Sequence, residues 1–471
     1  MRQRRRAAAL IVVVALLLLG VGTMAMRGAR ADSNTAKPAE SLADALQVIA
    51  LLKTQYVDPV STMDLMRNYL SAGTIGGMLS KSLEDPYTRF MDKAAFSEMM
   101  IDTRGSFYGI GLYIGLDKEE RLIVVAPIDG TPAQRAGIKS GDHIAQIDGK
   151  TTRFMSTDQA ASLMRGPKGT TVNLTIERGQ EKLPFTIQRD EINVPAVTSK
   201  EIEEQPGLYH LQLSTFSEET APQLEKALRE IQAKGGTGIV LDLRYNPGGL
   251  LDSAINVASY FLDDGKEVLH IIDRQKGKET KKTAKVSFRT KLPVVVLVNK
   301  YSASASEILT GALKDSGRAT VVGTKTFGKG LVQTIFPLAS GGAISLTTQS
   351  YLTAGGTAIN KVGIEPHVSV PVPEEELSEE GLPVALWTRE EAELKSGDKT
   401  ITVPAESQLE VISRDKDKER WQVKYKTGES VYTGWISEEK LQQFNPVDVQ
   451  LNKAIEVLAS QISGMQLKQA S

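Results

Sequence analysis

Lys300–Leu338 reads KYSASASEILTGALKDSGRATVVGTKTFGKGLVQTIFPL, and the rest of the chain is organised around it. The run before it, Val294–Val298, is short, β-branched and bounded by Pro293 and Asn299, which predicts a buried strand. Tyr301–Ser306 is small and polar, too poor in apolar atoms to build core but open to close approach by another backbone. Ile308, Leu309, Ala312 and Leu313 then recur at helical spacing. Serines therefore stand at a strand-to-helix turn, where a hydroxyl is exposed and the first N–H groups of the helix lack intrahelical acceptors. Such a place suits a nucleophile with a built-in anion site. Downstream, Val321–Gly323 ends a second strand, TFGKG follows at Thr326–Gly330, and Leu331–Leu338 predicts a third. Lys329 lies between two glycines beside Phe327. An ordinary lysine, with a pKa near 10.4, is no base at neutral pH, and bringing it to about 7 takes a burial cost of roughly 4–5 kcal/mol. A glycine-flanked lysine in an apolar β region can be desolvated that far.

SASASEI, ALKDSGRA, TFGKG and Gln333, in that order, resemble the carboxyl-terminal processing peptidases, a tail-specific family of exported serine proteases with a Ser–Lys pair. The resemblance runs from Leu42 to about Pro373 and resumes near Asp448. It implies a multidomain α/β chain whose catalytic part is a ClpP/crotonase-like β/α protease core. It implies Ser304 as nucleophile, Lys329 as general base and Gln333 as the residue that orients the lysine. The buried strand predicted at Thr237–Arg244 leads through NPGG, Asn246–Gly249, into a helix over Leu250–Leu262; in the family this turn faces the nucleophile. A tetrahedral intermediate needs two donors aimed at its oxygen. Ala305 N–H is one, and Gly248 or Gly249 supplies the other, with the choice open at this point. Asp242 and Arg244 read as an ion pair or loop brace. No metal or cofactor is implied.

At 471 residues the chain is long enough for two to four domains, and a formal net charge of −1 gives it no basic field for nucleic acid. Without cysteine, thiol catalysis, disulfides and cysteine metal sites are excluded together. His143, His210, His270 and His367 are scattered singly, with no metal-ligand spacing. Arg2 and Arg4–Arg6 precede the uncharged apolar run Ala7–Met26, long enough to span a bilayer, and Ala29-Arg30-Ala31 fits a cleavage site. A cleaved signal and a retained anchor both fit residues 1–31. Either exports the remainder, so the expected location is extracytoplasmic, secreted or held at the outer face of the cytoplasmic membrane.

Residues 32–40 read as a linker and 41–100 as a helical segment, in which LEDPYTRFM, Leu83–Met91, is given packing and no chemistry. Residues 101–190, with FYGIGLYIG and GIKSGDHIAQIDG, resemble a PDZ domain, Ala133–Ala136 and Thr157–Met164 being its helices. The resemblance places a peptide carboxylate on the loop Tyr108, Gly109, Ile110, Gly111 and Leu112. Arg165, just after the longer helix, either couples this domain to the core or caps the helix. The core spans 191–373, and 374–394 is an acidic linker. Residues 395–443, with Trp421 and Trp435, resemble a small SH3-like β-barrel of the kind that binds cell-wall peptide or glycan, Trp421 being expected inside. A helix at 446–471 closes the chain. The expected partners are protein or peptide substrates with a free C-terminus, a cell-wall ligand for the barrel and, by resemblance, a second subunit.

The leading expectation is a serine endopeptidase that processes or degrades exported proteins from their C-termini. Two others stand beside it: a wall-associated binding protein with a relic core, and an enoyl-CoA-type enzyme using the NPGG turn on acyl thioesters, which an exported address disfavours.

Overall fold

The computed structural model describes residues 42–470 except 373–383, 443–447 and the single positions 118, 180, 286, 398, 416 and 429. The signal or anchor expected at 1–31 and the linker at 32–40 lie outside the described residues, as do residues 374–383 of the acidic linker. Among the described residues no helix is long and apolar enough to cross a membrane.

The described residues begin with helices α1 (Leu42–Gln55), α2 (Thr62–Ala72) and α3 (Ile75–Ser82), strand β1 (Arg89–Met91) and helix α4 (Lys93–Arg104). Next come β2 (Ser106–Gly109), β3 (Leu112–Leu116), β4 (Leu122–Pro127), α5 (Pro132–Arg135), β5 (His143–Ile147), β6 (Lys150–Thr151), α6 (Thr157–Met164), β7 (Thr171–Arg178), β8 (Glu181–Gln188) and β9 (Asp190–Asn193). The core comprises β10 (Val197–Glu201), β11 (Leu208–Leu213), α7 (Thr220–Ala233), β12 (Gly238–Asp242), α8 (Leu251–Ser259), β13 (Glu267–Asp273), β14 (Lys278–Thr283), β15 (Val294–Val298), α9 (Ala305–Asp315), β16 (Ala319–Gly323), β17 (Leu331–Pro337), β18 (Ala343–Thr353) and β19 (Val368–Ser369). Strands β20 (Ala385–Thr388), β21 (Ala392–Ser396), β22 (Lys399–Val403), β23 (Gln408–Asp415), β24 (Arg420–Thr427), β25 (Ser430–Ser437) and β26 (Leu441–Gln442) follow, and α10 (Val449–Ala470) ends the chain.

The central sheet has six strands in the order β10-β11-β12-β15-β16-β19. From β11 onward its pairings are parallel. A parallel sheet covered on both faces reads as continuous apolar sequence, which is why Val294–Val298 shows no alternation. Val294, Val296 and Val298 join a core with α7, α8 and α9, whereas Val295 and Leu297 face Ala454 and Leu458 of α10. The second face is therefore closed by a helix that arrives only after the β20–β26 unit.

A second sheet, β1-β18-β13-β14 with β17 on β18, carries the strand that follows Lys329. Here the expected boundaries shift. The segment expected to be purely helical adds β1 to β18, with Arg89 opposite Ser345. Its helices pack Leu52, Ile75 and Met78 against Ile344 and Leu346 of that same sheet. The break expected at residue 100 falls inside α4.

FYGIGLYIG contributes to two strands, β2 and β3. β2 pairs with β9 outside the PDZ-like sheet β3-β4-β5-β7-β8, in which β3 is an edge. The break falls at Gly111, whose φ is +81° and where a Cβ would lie 2.4 Å from Thr131. The β20–β26 unit is an antiparallel seven-stranded sheet with its own apolar centre, and it begins at Ala385, inside the expected linker 374–394. Trp387, outside the expected barrel 395–443, is 2% exposed within this unit, and Trp421 joins Leu394 and Leu409 at its centre.

The expected Asp242–Arg244 pair forms, and it does more than brace a loop. Arg244 donates to both Asp242 oxygens and, at 2.8 and 2.7 Å, to Asp448, whose carboxylate also caps α10 through Leu451 N–H. Burial acts to raise the pKa of Asp242, but hydrogen bonds from His210 and Arg244 outweigh it and leave the carboxyl below its usual range. Arg244→Leu strips a buried carboxylate of its main partner and is expected to destabilise the core by about 3 kcal/mol. Urea denaturation reads this, and a loss below about 1 kcal/mol would show that α10 and β12 hold without the clamp.

Candidate active site

β15 ends at Val298, and the turn that follows sets three serines in different surroundings. Ser302 and Ser306 are fully buried and hold structure. The Ser302 hydroxyl donates to Leu243 O (2.8 Å) and accepts from Asn299 N–H (2.9 Å); that of Ser306 donates to Asn246 O (2.9 Å). Ser304 is the partly exposed one. It stands at the N-cap of α9 with φ +54° and ψ −112°, a left-handed conformation that a side chain rarely adopts. Strain of this kind persists only where surrounding contacts over-determine it.

The contact that does so is Glu307, one helical turn on and fully buried. Its Oε2 accepts from Ser304 N–H and Lys329 N–H, both at 2.9 Å. Its Oε1 accepts from the Thr326 hydroxyl at 2.6 Å and Gly328 N–H at 2.8 Å. One carboxylate thus fixes the backbone of the serine elbow and of the TFGKG loop together.

Lys329 is half-buried. Its pKa is held below the ordinary lysine value first by desolvation and next by the charge of Arg89, while Asp85 and Glu307 act the other way. The ammonium nitrogen lies 4.7 Å from the centre of the Tyr87 ring. The Tyr351 hydroxyl donates to Lys329 O. Burial, and then Glu307, push the Tyr351 phenol well above its usual value, with the Ser304 hydroxyl nearby opposing them. Ser304, Lys329, Gln333, Gly248 and Gly249 line one cleft of about 460 Å³, walled on one side by Met99, Asp102 and Thr103 of α4. Gln333 donates its amide to Thr347 Oγ1 at 3.2 Å.

The NPGG turn lies against the serine elbow. Buried Asn246 donates to Leu213 O (2.8 Å) and accepts from Ala303 N–H (3.1 Å) and from Gly248 N–H (2.9 Å, through Oδ1). The Gly248 donor is therefore spent. Among the described residues, the N–H groups of Ala305 and Gly249 have no acceptor. Gly249 has φ +143°, and a Cβ there would lie 2.2 Å from Phe216 O, so only glycine brings this backbone close.

On the PDZ-like sheet, Ile110 is 2% exposed and belongs to the core, so its contribution to a groove is backbone. The carbonyls of Tyr108, Ile110 and Gly111 accept from Gly166, Ala133 and Ile128. Among the described residues the N–H groups of Ile110 and Gly111 have no acceptor, next to the open edge at Leu112. Arg165 pairs with Glu98 of α4 and stacks 5.1 Å from the Phe107 ring centre, so it bridges α6 to the helix that walls the cleft.

Sequence reasoning missed Glu307 and Tyr351, and gave Asn246 and the segment Asp85–Arg89 no role of their own. Glu307 left one signal: it stands three residues after a serine at a helix start, the capping-box spacing.

Three family descriptions match the chain: peptidase family S41 over residues 208–370, a PDZ domain over 123–178, and the N-terminal domain of the activating protease CtpB over 22–95. A carboxy-terminal-processing protease of Bartonella bacilliformis is 42% identical over 353 residues, covering 73% of this chain and 78% of that protein. The carboxy-terminal processing protease CtpB of Bacillus subtilis is 37% identical over 349 residues, covering 74% and 70%. CtpA of the same organism is 40% identical over 303 residues, covering 64% of each. The chain is thus a serine-type peptidase that carries a PDZ domain and acts on proteins or peptides. The chain belongs to the carboxy-terminal processing proteases of peptidase family S41.

Glu307→Gln tests the buried hub. An amide must turn its NH₂ toward two of the four donors, so the elbow and the lysine loop lose their common anchor. Turnover of a fluorogenic peptide is expected to fall about 100-fold in kcat, with KM nearly unchanged, because reacting groups about 1 Å out of place cost that much. A folded variant with full kcat would remove Glu307 from the positioning of the site.

Proposed function

We propose that this chain is an extracytoplasmic endopeptidase that works through a Ser304–Lys329 pair and captures substrates by their free C-terminus. The observation that carries the pair is the Glu307 hub. It locks a strained, exposed serine and a desolvated lysine into one cleft, while the amine of that lysine makes no hydrogen bond among the described residues. Substrate binding tightens such contacts, since apo hydrogen bonds of catalytic groups are often long. Neutral Lys329 takes the Ser304 proton as Oγ attacks the peptide carbonyl. The N–H groups of Ala305 and Gly249 receive the oxyanion, being donors without an acceptor, whereas that of Gly248 is engaged. Protonated Lys329 then passes its proton to the leaving amine, and water releases the acyl-enzyme by the same route. Gln333, with its NH₂ on Thr347, keeps its carbonyl oxygen to orient the lysine amine.

For the tail, the free N–H groups of Ile110 and Gly111 form an anion site at the end of an edge strand, and a peptide pairs along β3 beside α6. Through Arg165 and Glu98, occupancy of that groove reaches the wall of the cleft. The β20–β26 unit is read as an SH3-like wall-binding module. Trp435, half-buried with Arg420 at 4.4 Å from its ring centre, is its candidate ligand surface. Residues 1–31 supply export or an anchor, and the N- and C-terminal helices a subunit contact.

Lys329→Ala abolishes cleavage without loss of fold, and Lys329→Arg does the same, because a guanidinium stays protonated at any working pH. Substantial turnover by Lys329→Arg would refute the general-base assignment. A peptide with a free apolar C-terminus is expected to be cut at least about tenfold faster than its amidated twin, since amidation removes a charge-assisted contact. Equal kcat/KM for the two would exclude carboxylate capture.

A further inference from the structure

The segment Asp85–Arg89, read from sequence as packing alone, borders Lys329. Tyr87 lies beneath it, and β1 carries Arg89 into the cleft that holds Ser304 and Lys329. The register explains the delivery. Phe90 turns into the N-terminal core, so Arg89, one residue earlier, faces the other side of β1.

The charges around the amine are unevenly disposed. The Asp85 carboxylate is occupied by its own turn, accepting from Tyr87 N–H at 2.9 Å and the Thr88 hydroxyl at 2.7 Å. Glu307 from α9 is saturated by four donors. Tyr351 from β18 is kept as a neutral phenol by burial. Asp85 and Glu307 keep their charge and act to raise Lys329, and Asp102 of α4 lines the same cleft, but among the described residues none of the three bonds to the lysine amine. Arg89 has no carboxylate partner among the described residues, and no hydrogen bond fixes its guanidinium elsewhere.

We propose that Arg89 is a positioning residue for the reaction: strand addition by β1 sets an unpaired, permanent cation beside Lys329, so that a second cation is disfavoured there and the amine stays free to take the Ser304 proton. This rests on the reading of Lys329 as general base. A cationic neighbour is an established way to activate a lysine, and after burial Arg89 is the largest influence holding Lys329 below its ordinary value. The arrangement makes the N-terminal segment part of the catalytic apparatus, because the ring against the amine and the cation in the cleft both come from the short stretch that adds β1 to β18.

The test uses the full chain and its Arg89→Gln, Arg89→Met and Arg89→Lys variants. Two rates are followed against pH: kcat/KM on a fluorogenic peptide, and labelling of Ser304 by a fluorophosphonate, which carries no peptide to be recognised. Removing the cation raises the pKa of the base, so the acid limb of both profiles is expected to move up by about 0.5–1 pH unit in Arg89→Gln and Arg89→Met. At neutral pH that is a loss of about three- to tenfold, shrinking toward the alkaline plateau. Arg89→Lys restores the original limb. An unmoved limb overturns the proposal, as does a rate reduced equally at every pH, or an effect on peptide cleavage without one on labelling. Lys329→Ala, run alongside, separates the two ideas. If it retains the wild-type profile, the base itself is misassigned. If it is inactive while Arg89→Gln is unshifted, only the role of Arg89 falls.

Discussion

A single buried carboxylate governs the site. Burying an ionised group is costly unless every oxygen is satisfied, and Glu307 meets that condition with donors from two chain segments: the serine elbow at Ser304 and the lysine loop at Thr326, Gly328 and Lys329. Because its four bonds must form together, the strained φ of Ser304 and the path of the TFGKG loop are not independent. The side chain that carries the cost of burial performs no chemistry. It makes one geometry the only satisfied one.

The rest of the molecule brings distant segments to that point. The cleft takes a wall from α4, donors from the NPGG turn, the nucleophile from the start of α9 and the base from the loop before β17. α10 seals the far face of the central sheet and is fastened through Asp448 to Arg244, and so to the strand that leads into the NPGG turn. The N-terminal helices pack on the β17–β18 hairpin, and β1 extends the same sheet. The N-terminal helices and α10 are thereby structural members of the core, although the β20–β26 unit lies between β19 and α10 in sequence.

Much of the site was legible in sequence. Val294–Val298, SASASEI, TFGKG and NPGG are local patterns, and each appears where the spacing of apolar, small and glycine residues puts it. The helix Thr157–Met164 has the bounds read from its sequence. Elements whose partners lie far off were not legible. Arg89–Met91 is too short to show a period, and it is a strand only because β18 offers an edge. Ala385–Thr388 looked like linker because all four residues are buried, so no alternation marks it. Gln333 was legible as a candidate, but the acceptor of its amide NH₂, Thr347, is a cross-strand partner that the sequence does not reveal.

What the sequence determined by itself was the set of groups and their order: an exposed serine at a helix start, a glycine-flanked lysine, a glycine turn, and no cysteine or clustered histidine to support other chemistry. These are properties of local backbone and side-chain type, which neighbours along the chain control. The tertiary structure alone decided which N–H groups stay free, which serines are spent on backbone carbonyls, and which charges reach Lys329. Those outcomes depend on burial and on partners hundreds of residues away. A hydrogen bond saturates its donor, so whether a group remains available for catalysis is known only once every competitor for it has been placed.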